Sequence, residues 1–243
     1  AELSAQASAL LVPPEMIEAP SRAHHQLAQH NHPPAPESRH DQPRWDRPLH
    51  QLLPALMATA QQRSLAHAFT ASAPRLEDDA ARENRAVLLV LGLYVNRVSL
   101  ATLVPAARNW PALPARPLTL QGREDLAQHY PTSAALATDL GGRLSDLIGM
   151  YKELLDASPQ GRGSGFSFND IAADKAGVRL GRIAVQQPQA LQARMAEVQA
   201  DTDLLPDVRD LPEFLTAAQL QQRYGGIDAP AYRAAMQDID RRI

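Results

Sequence analysis

The sequence predicts an all-α protein: a single compact helical domain of about seven helices, preceded by an extended arm. Three observations predict it. Apolar residues recur at helical spacing in most segments after residue 49, no convincing alternating strand is visible, and helix caps recur in the second half. The chain has 243 residues, 44% hydrophobic and 21% charged, enough for a core of ordinary size. With 24 basic against 27 acidic residues, nothing suggests a basic nucleic-acid clamp, so no nucleic-acid partner is expected. No apolar run is long enough to span a bilayer. The absence of cysteine excludes disulfides, thiolate zinc sites and a cysteine nucleophile.

Residues 1–48 read as a flexible Pro/His-rich arm. Nine of the 20 prolines fall in residues 1–54, and six of the eight histidines fall there too. Residues 18–48 lack an apolar repeat strong enough to offset the entropy of ordering them. The arm is expected to contact an envelope protein partner, and its histidines match no zinc-site spacing. The first residues look like a mature end left after removal of a signal peptide.

The helical domain is expected over 49–243. Residues 49–70 place Leu49, Leu52, Leu53, Leu56, Met57 and Ala60 on one face, with Pro54 marking a start. After Pro74, the acidic residues Glu77, Asp78 and Asp79 suit a helix N-terminus. The run Ala86–Val95 is apolar all round, which predicts a buried central helix. A proline-rich connector covers 110–119. Helical patterns follow at 123–139, 144–157, 168–185 and 188–200. Ser167 with Asp170, and Thr216 with Gln219, are capping-box pairs, and Gly225 and Gly226 stop the second helix. The acidic stretch 201–213 reads as capping and turn chemistry, since it lacks the glycine and distal glutamate of a calcium loop. Two short stretches, PLTLQG and GFSF, are the best candidates for a small paired strand.

Candidate chemistry concentrates in the motif core, 123–185. His129 and Ser133 are one turn apart on one helix. Glu153 and Asp156 share a face beside Lys152. Asp170 and Asp174 share another, and Gly177 and Gly181 continue that stripe, which permits close approach by a neighbouring helix. Packed together, these helices would converge one imidazole and several carboxylates. One reading is a divalent-metal site of His129, Glu153, Asp156, Asp170 and Asp174, held by oxygen and imidazole alone. Glu153, Asp174 and Lys152 are then the catalytic candidates, with metal-activated water as the nucleophile. Arg123 and Ser133 are the ligand-binding candidates. The other reading is a buried network of ion pairs and hydrogen bonds with a structural or partner-binding role. A serine triad is disfavoured, because nothing resembles a nucleophile elbow around Ser133.

The order H-x-x-x-S, K-E-x-x-D, a Gly-rich turn and F-S-x-x-D-x-x-A-D-x-x-G-x-x-x-G runs through His129, Ser133, Lys152, Glu153, Asp156, Asp170, Asp174, Gly177 and Gly181. This order resembles the YfiM-like and VanZ-like bacterial envelope proteins, over residues 123–181 only. The resemblance implies a helical core and a periplasmic or envelope-associated location, with no assigned reaction. VanZ-like proteins are embedded in the membrane, a feature these charge-interrupted helices lack. The expected function is therefore a periplasmic helical protein with a structural or partner-binding role. The alternative is a metal-dependent hydrolase acting on an envelope substrate.

Overall fold

The computed structural model describes residues 15–31, 46–70, 76–114, 116–138 and 165–243. Its described residues form eight α-helices: α1 Glu15–His30, α2 Leu49–Thr70, α3 Leu76–Val95, α4 Glu124–Ala137, α5 Phe168–Gln186, α6 Pro188–Met195, α7 Ala217–Tyr224 and α8 Pro230–Arg242. The all-α expectation holds. Among the described residues, no helix is long and apolar enough to cross a membrane. The predicted helix at 144–157 lies outside the described residues.

The apolar run predicted to be central is central. Ala86 to Leu91 and Leu93 of α3 are all buried, and α3 packs against α1, α2, α4, α5 and α6. Polar residues tie its first half to its neighbours. Glu83 is buried and paired with Arg22 of α1. Asn84 donates to the carbonyls of Ala184 (3.1 Å) and Pro188 (3.2 Å) and accepts from Gln192 (2.9 Å). One amide thus fixes α3 against the α5–α6 junction, where the Pro188 ring opens a new helix.

Residues 15–31 correct the expectation of an extended arm, because they fold as part of the domain. Pro20, Ala23, His24, Leu27, Ala28 and Asn31 are buried at i, i+3, i+4, i+7, i+8 and i+11, a helical stripe. The stripe is carried by alanine, histidine and asparagine around a single leucine, so hydrophobicity alone does not reveal it. It is held by Arg22–Glu83 and by Asn31, which donates to the Tyr94 hydroxyl at 2.5 Å. Residues 1–14 and 32–45 of the arm lie outside the described residues.

The strand expectation is also corrected. Leu118–Thr119 pairs in parallel with Arg47–Pro48, and Phe166 bridges Leu215, so the two candidate stretches do not pair with each other. Pro54 lies inside α2, whose first residue is Leu49. Asp201 holds that start, accepting from His50 Nδ1 at 2.7 Å and from the Gln121 amide at 2.6 Å. The acidic stretch supplies turn chemistry as expected: Asp203 accepts from the amides of Gln199 and Ala200, each at 2.9 Å. Thr216 and Gln219 complete their capping box, and Gly225 takes the left-handed cap at φ 73°. An aromatic cluster of Phe166, Phe168, Tyr224 and Tyr232, with ring centroids 5.0–6.0 Å apart, docks α7 and α8 on the start of α5.

The closest helix approach is α4 on α5. A Cβ at Gly177 would lie 2.1 Å from the Tyr130 carbonyl oxygen, and one at Gly181 2.2 Å from that of Ala134. Only glycine fits at either position. Gly177→Ala should destabilise the protein by about 2 kcal/mol, read from urea unfolding. Alanine gains about 1 kcal/mol of helix propensity over glycine, so a net loss isolates the clash. A neutral or stabilised variant would mean that the helices stand further apart.

Candidate functional site

The glycine contact sets what the facing side chains do. With the backbones of α4 and α5 in contact, residues one turn apart on each helix meet across the groove. His129 and Ser133 of α4 meet Asp170 and Asp174 of α5. Ser133 Oγ donates to Asp174 Oδ1 at 2.6 Å, and His129 Nδ1 donates to the same oxygen at 3.2 Å. His129 Nε2 stands 3.8 Å from Asp170 Oδ2. The structure therefore brings four of the predicted residues together. Lys152, Glu153 and Asp156 lie outside the described residues.

Asp170 sits at the third position of α5, where Ser167 caps the helix by accepting the Asp170 amide at 3.2 Å. An aspartate is one methylene shorter than the glutamate of a full capping box. Its carboxylate is directed instead toward His129 and toward Arg123 Nη2, 4.0 Å away. Arg123, also among the predicted residues, is held by Asp125 and by Glu213. Glu213 also accepts from the Asn169 side-chain amide. Asp125, Asn169 and Glu213 are the members the sequence did not single out. Asp125 and Asn169 are sequence neighbours of named residues, whereas Glu213 arrives from a distant turn with no local signal.

The charges follow from this geometry. Burial lowers the His129 pKa, but the hydrogen bond and charge of Asp174, with Asp170 and Asp125 behind them, outweigh it, and the net shift is upward. Burial pushes the Asp170 carboxyl up, with His129 and Arg123 opposing and Asp125 adding to the rise. Burial also acts to raise Asp125, yet the hydrogen bonds and charge of Arg123 bring it below its usual value. His129 is thus favoured as the charged form facing Asp170 and Asp174, with the Arg123 guanidinium behind Asp170.

The described part of the cluster forms no serine relay. A serine nucleophile must give its proton to an imidazole. Here Ser133 gives it to Asp174, the oxygen that His129 also uses. Among the described residues, no group of three or more His, Cys, Asp or Glu side chains is arranged to hold a metal ion. Two cavities, of about 710 and 440 Å³, are formed by described residues, and no member of the cluster lines either.

No family model matches the chain, and neither a curated protein nor a solved structure matches it.

The pH dependence follows from the shift directions. His129 is raised above 6.5, so its stabilisation is complete below that pH and is lost as pH rises through its folded value. Asp170, also raised, makes stability fall with rising pH in a lower window, above 3.8. Asp125, lowered, costs stability only as pH falls below 3.8. Urea unfolding between about pH 6 and 9 should show falling stability, and His129→Gln should flatten that limb. An equally steep limb in the variant would exclude His129 as its source.

Proposed function

We propose that the protein is a non-catalytic helical protein of the bacterial envelope, facing the periplasm, with a structural or partner-binding role. One observation carries the non-catalytic part. Ser133 and His129, the pair a serine relay would need, both end on Asp174 Oδ1. The Ser133–Asp174 and His129–Asp174 bonds work as a clamp between α4 and α5, while one buried oxygen of Asp170 keeps no hydrogen-bond partner. Half-exposed charges and hydroxyls facing one another across a tight seam in this way favour one register of the two helices. The envelope address is supported by the residue order across 123–181, which resembles that of YfiM-like and VanZ-like proteins. A partner role fits this helix pair better than a reaction does, because no member of the cluster lines the cavities of about 710 and 440 Å³ among the described residues.

Metal content separates this reading from a metal-dependent hydrolase. Purified protein at neutral pH should carry no stoichiometric zinc, manganese or iron by elemental analysis. EDTA should leave its melting temperature unchanged, since a bound metal would stabilise the folded state. One equivalent of metal, lost in Asp174→Asn, would overturn the proposal and bring Glu153 and Asp156 forward as further ligands.

A further inference from the structure

The cavity of about 710 Å³ lies away from the cluster, between α1, the end of α3 and the connector that runs to Leu118–Thr119. Its size falls in the range of small-molecule sites. The walls are mainly apolar, from Val98, Leu100, Leu113 and Leu118. Trp110 adds a broad face, its ring centroid 5.4 Å from that of His24 and 5.9 Å from that of His25. The cavity is built in advance. The Tyr94 hydroxyl accepts from the Arg116 amide at 3.0 Å and lies 2.6 Å from the Pro114 carbonyl, so it anchors the connector to α3. His24 donates from Nε2 to the Pro111 carbonyl at 2.8 Å. His24 is buried, and its Nδ1 has no hydrogen-bond partner among the described residues.

The polar lining is one-sided. Arg97, Arg108 and Arg116 face a single acid, Glu124. No carboxylate of a described residue pairs with Arg97 or Arg108. Arg47, paired with Leu118 of the cavity wall, is held below its usual pKa by burial and by Arg116, so positive charge is crowded at this end. Arg97 also occupies an unfavourable position. The Arg97 amide donates to Tyr94 O at 3.0 Å and the Val98 amide to Leu93 O at 2.9 Å, the hydrogen-bond pair of a Schellman stop. Arg97 is its left-handed residue, at φ 58°, where glycine is the favoured occupant. A cation is kept at the rim of the cavity at a conformational cost.

We infer that this cavity binds a small amphipathic carboxylate, its apolar body against Trp110 and its head on Arg97 and Arg108. Bare phosphate would leave the apolar walls unused, and a neutral apolar molecule would leave the arginines unused. The site is independent of the clamp, so it stands whether or not the cluster proves non-catalytic.

The test is a fluorescence titration of the full chain with 8-anilinonaphthalene-1-sulfonate, an aromatic body carrying one anion. Saturable binding at one equivalent is expected, with dodecanoate displacing the probe and dodecanol failing to. Arg97→Gly should weaken binding about tenfold, the scale of one lost charged contact. It should also leave the thermal midpoint unchanged or raised, because glycine relieves the φ strain. Arg108→Gln, on an exposed side chain, should weaken binding without touching the midpoint. Non-saturable binding, equal displacement by dodecanol, or unaltered binding in both variants would overturn the inference.

Discussion

The contact of the α4 and α5 backbones at Gly177 and Gly181 is the constraint from which the rest follows. A methyl group at either position would overlap a carbonyl oxygen of α4, so nothing larger than hydrogen is tolerated. Small residues spaced four apart are a general means of bringing helices close. Here the gain is in reach. Serine and aspartate are short side chains, and the 2.6 Å bond from Ser133 to Asp174 is available only because the helix axes are so near. The same approach extends to α3, where Gly92 lies against the Pro131 carbonyl. Three helices are thereby drawn together with little bulky side chain between them, and alanines such as Ala134, Ala173 and Ala176 fill the seam.

Polar groups then decide which of several loose packings is adopted. An alanine-rich seam is short of shape, and apolar area alone would tolerate a shift of one helix along another. The clamp of His129, Ser133, Asp170 and Asp174 removes that freedom for α4 and α5. Asn84 does the same between α3 and the α5–α6 junction, and Arg22 with Glu83 does it between α1 and α3. Each buried charge is met by an opposite charge or a hydrogen bond, which keeps its desolvation cost from dominating. This pattern gives the chemistry-bearing residue types of the described seam a packing role.

How much of this was legible in the sequence depends on the range over which each feature is encoded. The central helix was readable because Ala86–Val95 is apolar on every face. The caps at Ser167 and Thr216 were readable because a cap is a local pattern of four residues. The meeting of His129, Ser133, Asp170 and Asp174 was legible from one-turn spacings and from the glycines that continue the stripe. Helix α1 was not, because its buried face is made of alanine, histidine, asparagine and proline, whose composition imitates a solvated linker. Strand partners were not legible either, since Arg47–Pro48 meets Leu118–Thr119 through backbone groups that carry no side-chain signature. Glu213 joined the site from a turn held to the start of α5 by the Phe166–Leu215 bridge and by the Phe168 amide on the Pro212 carbonyl. The cavity was hidden for a related reason: its wall is a proline-rich connector, tied down by a tyrosine from a different helix.

The central claim is that one carboxylate, Asp174, is shared across the α4–α5 seam as a structural bond. A double-mutant cycle with Ser133→Ala and Asp174→Asn, measured by urea unfolding near pH 6, tests it most directly. A coupling of about 1 kcal/mol is expected for two residues in one hydrogen-bonded pair. Strictly additive losses, with no coupling between the two positions, would contradict the account.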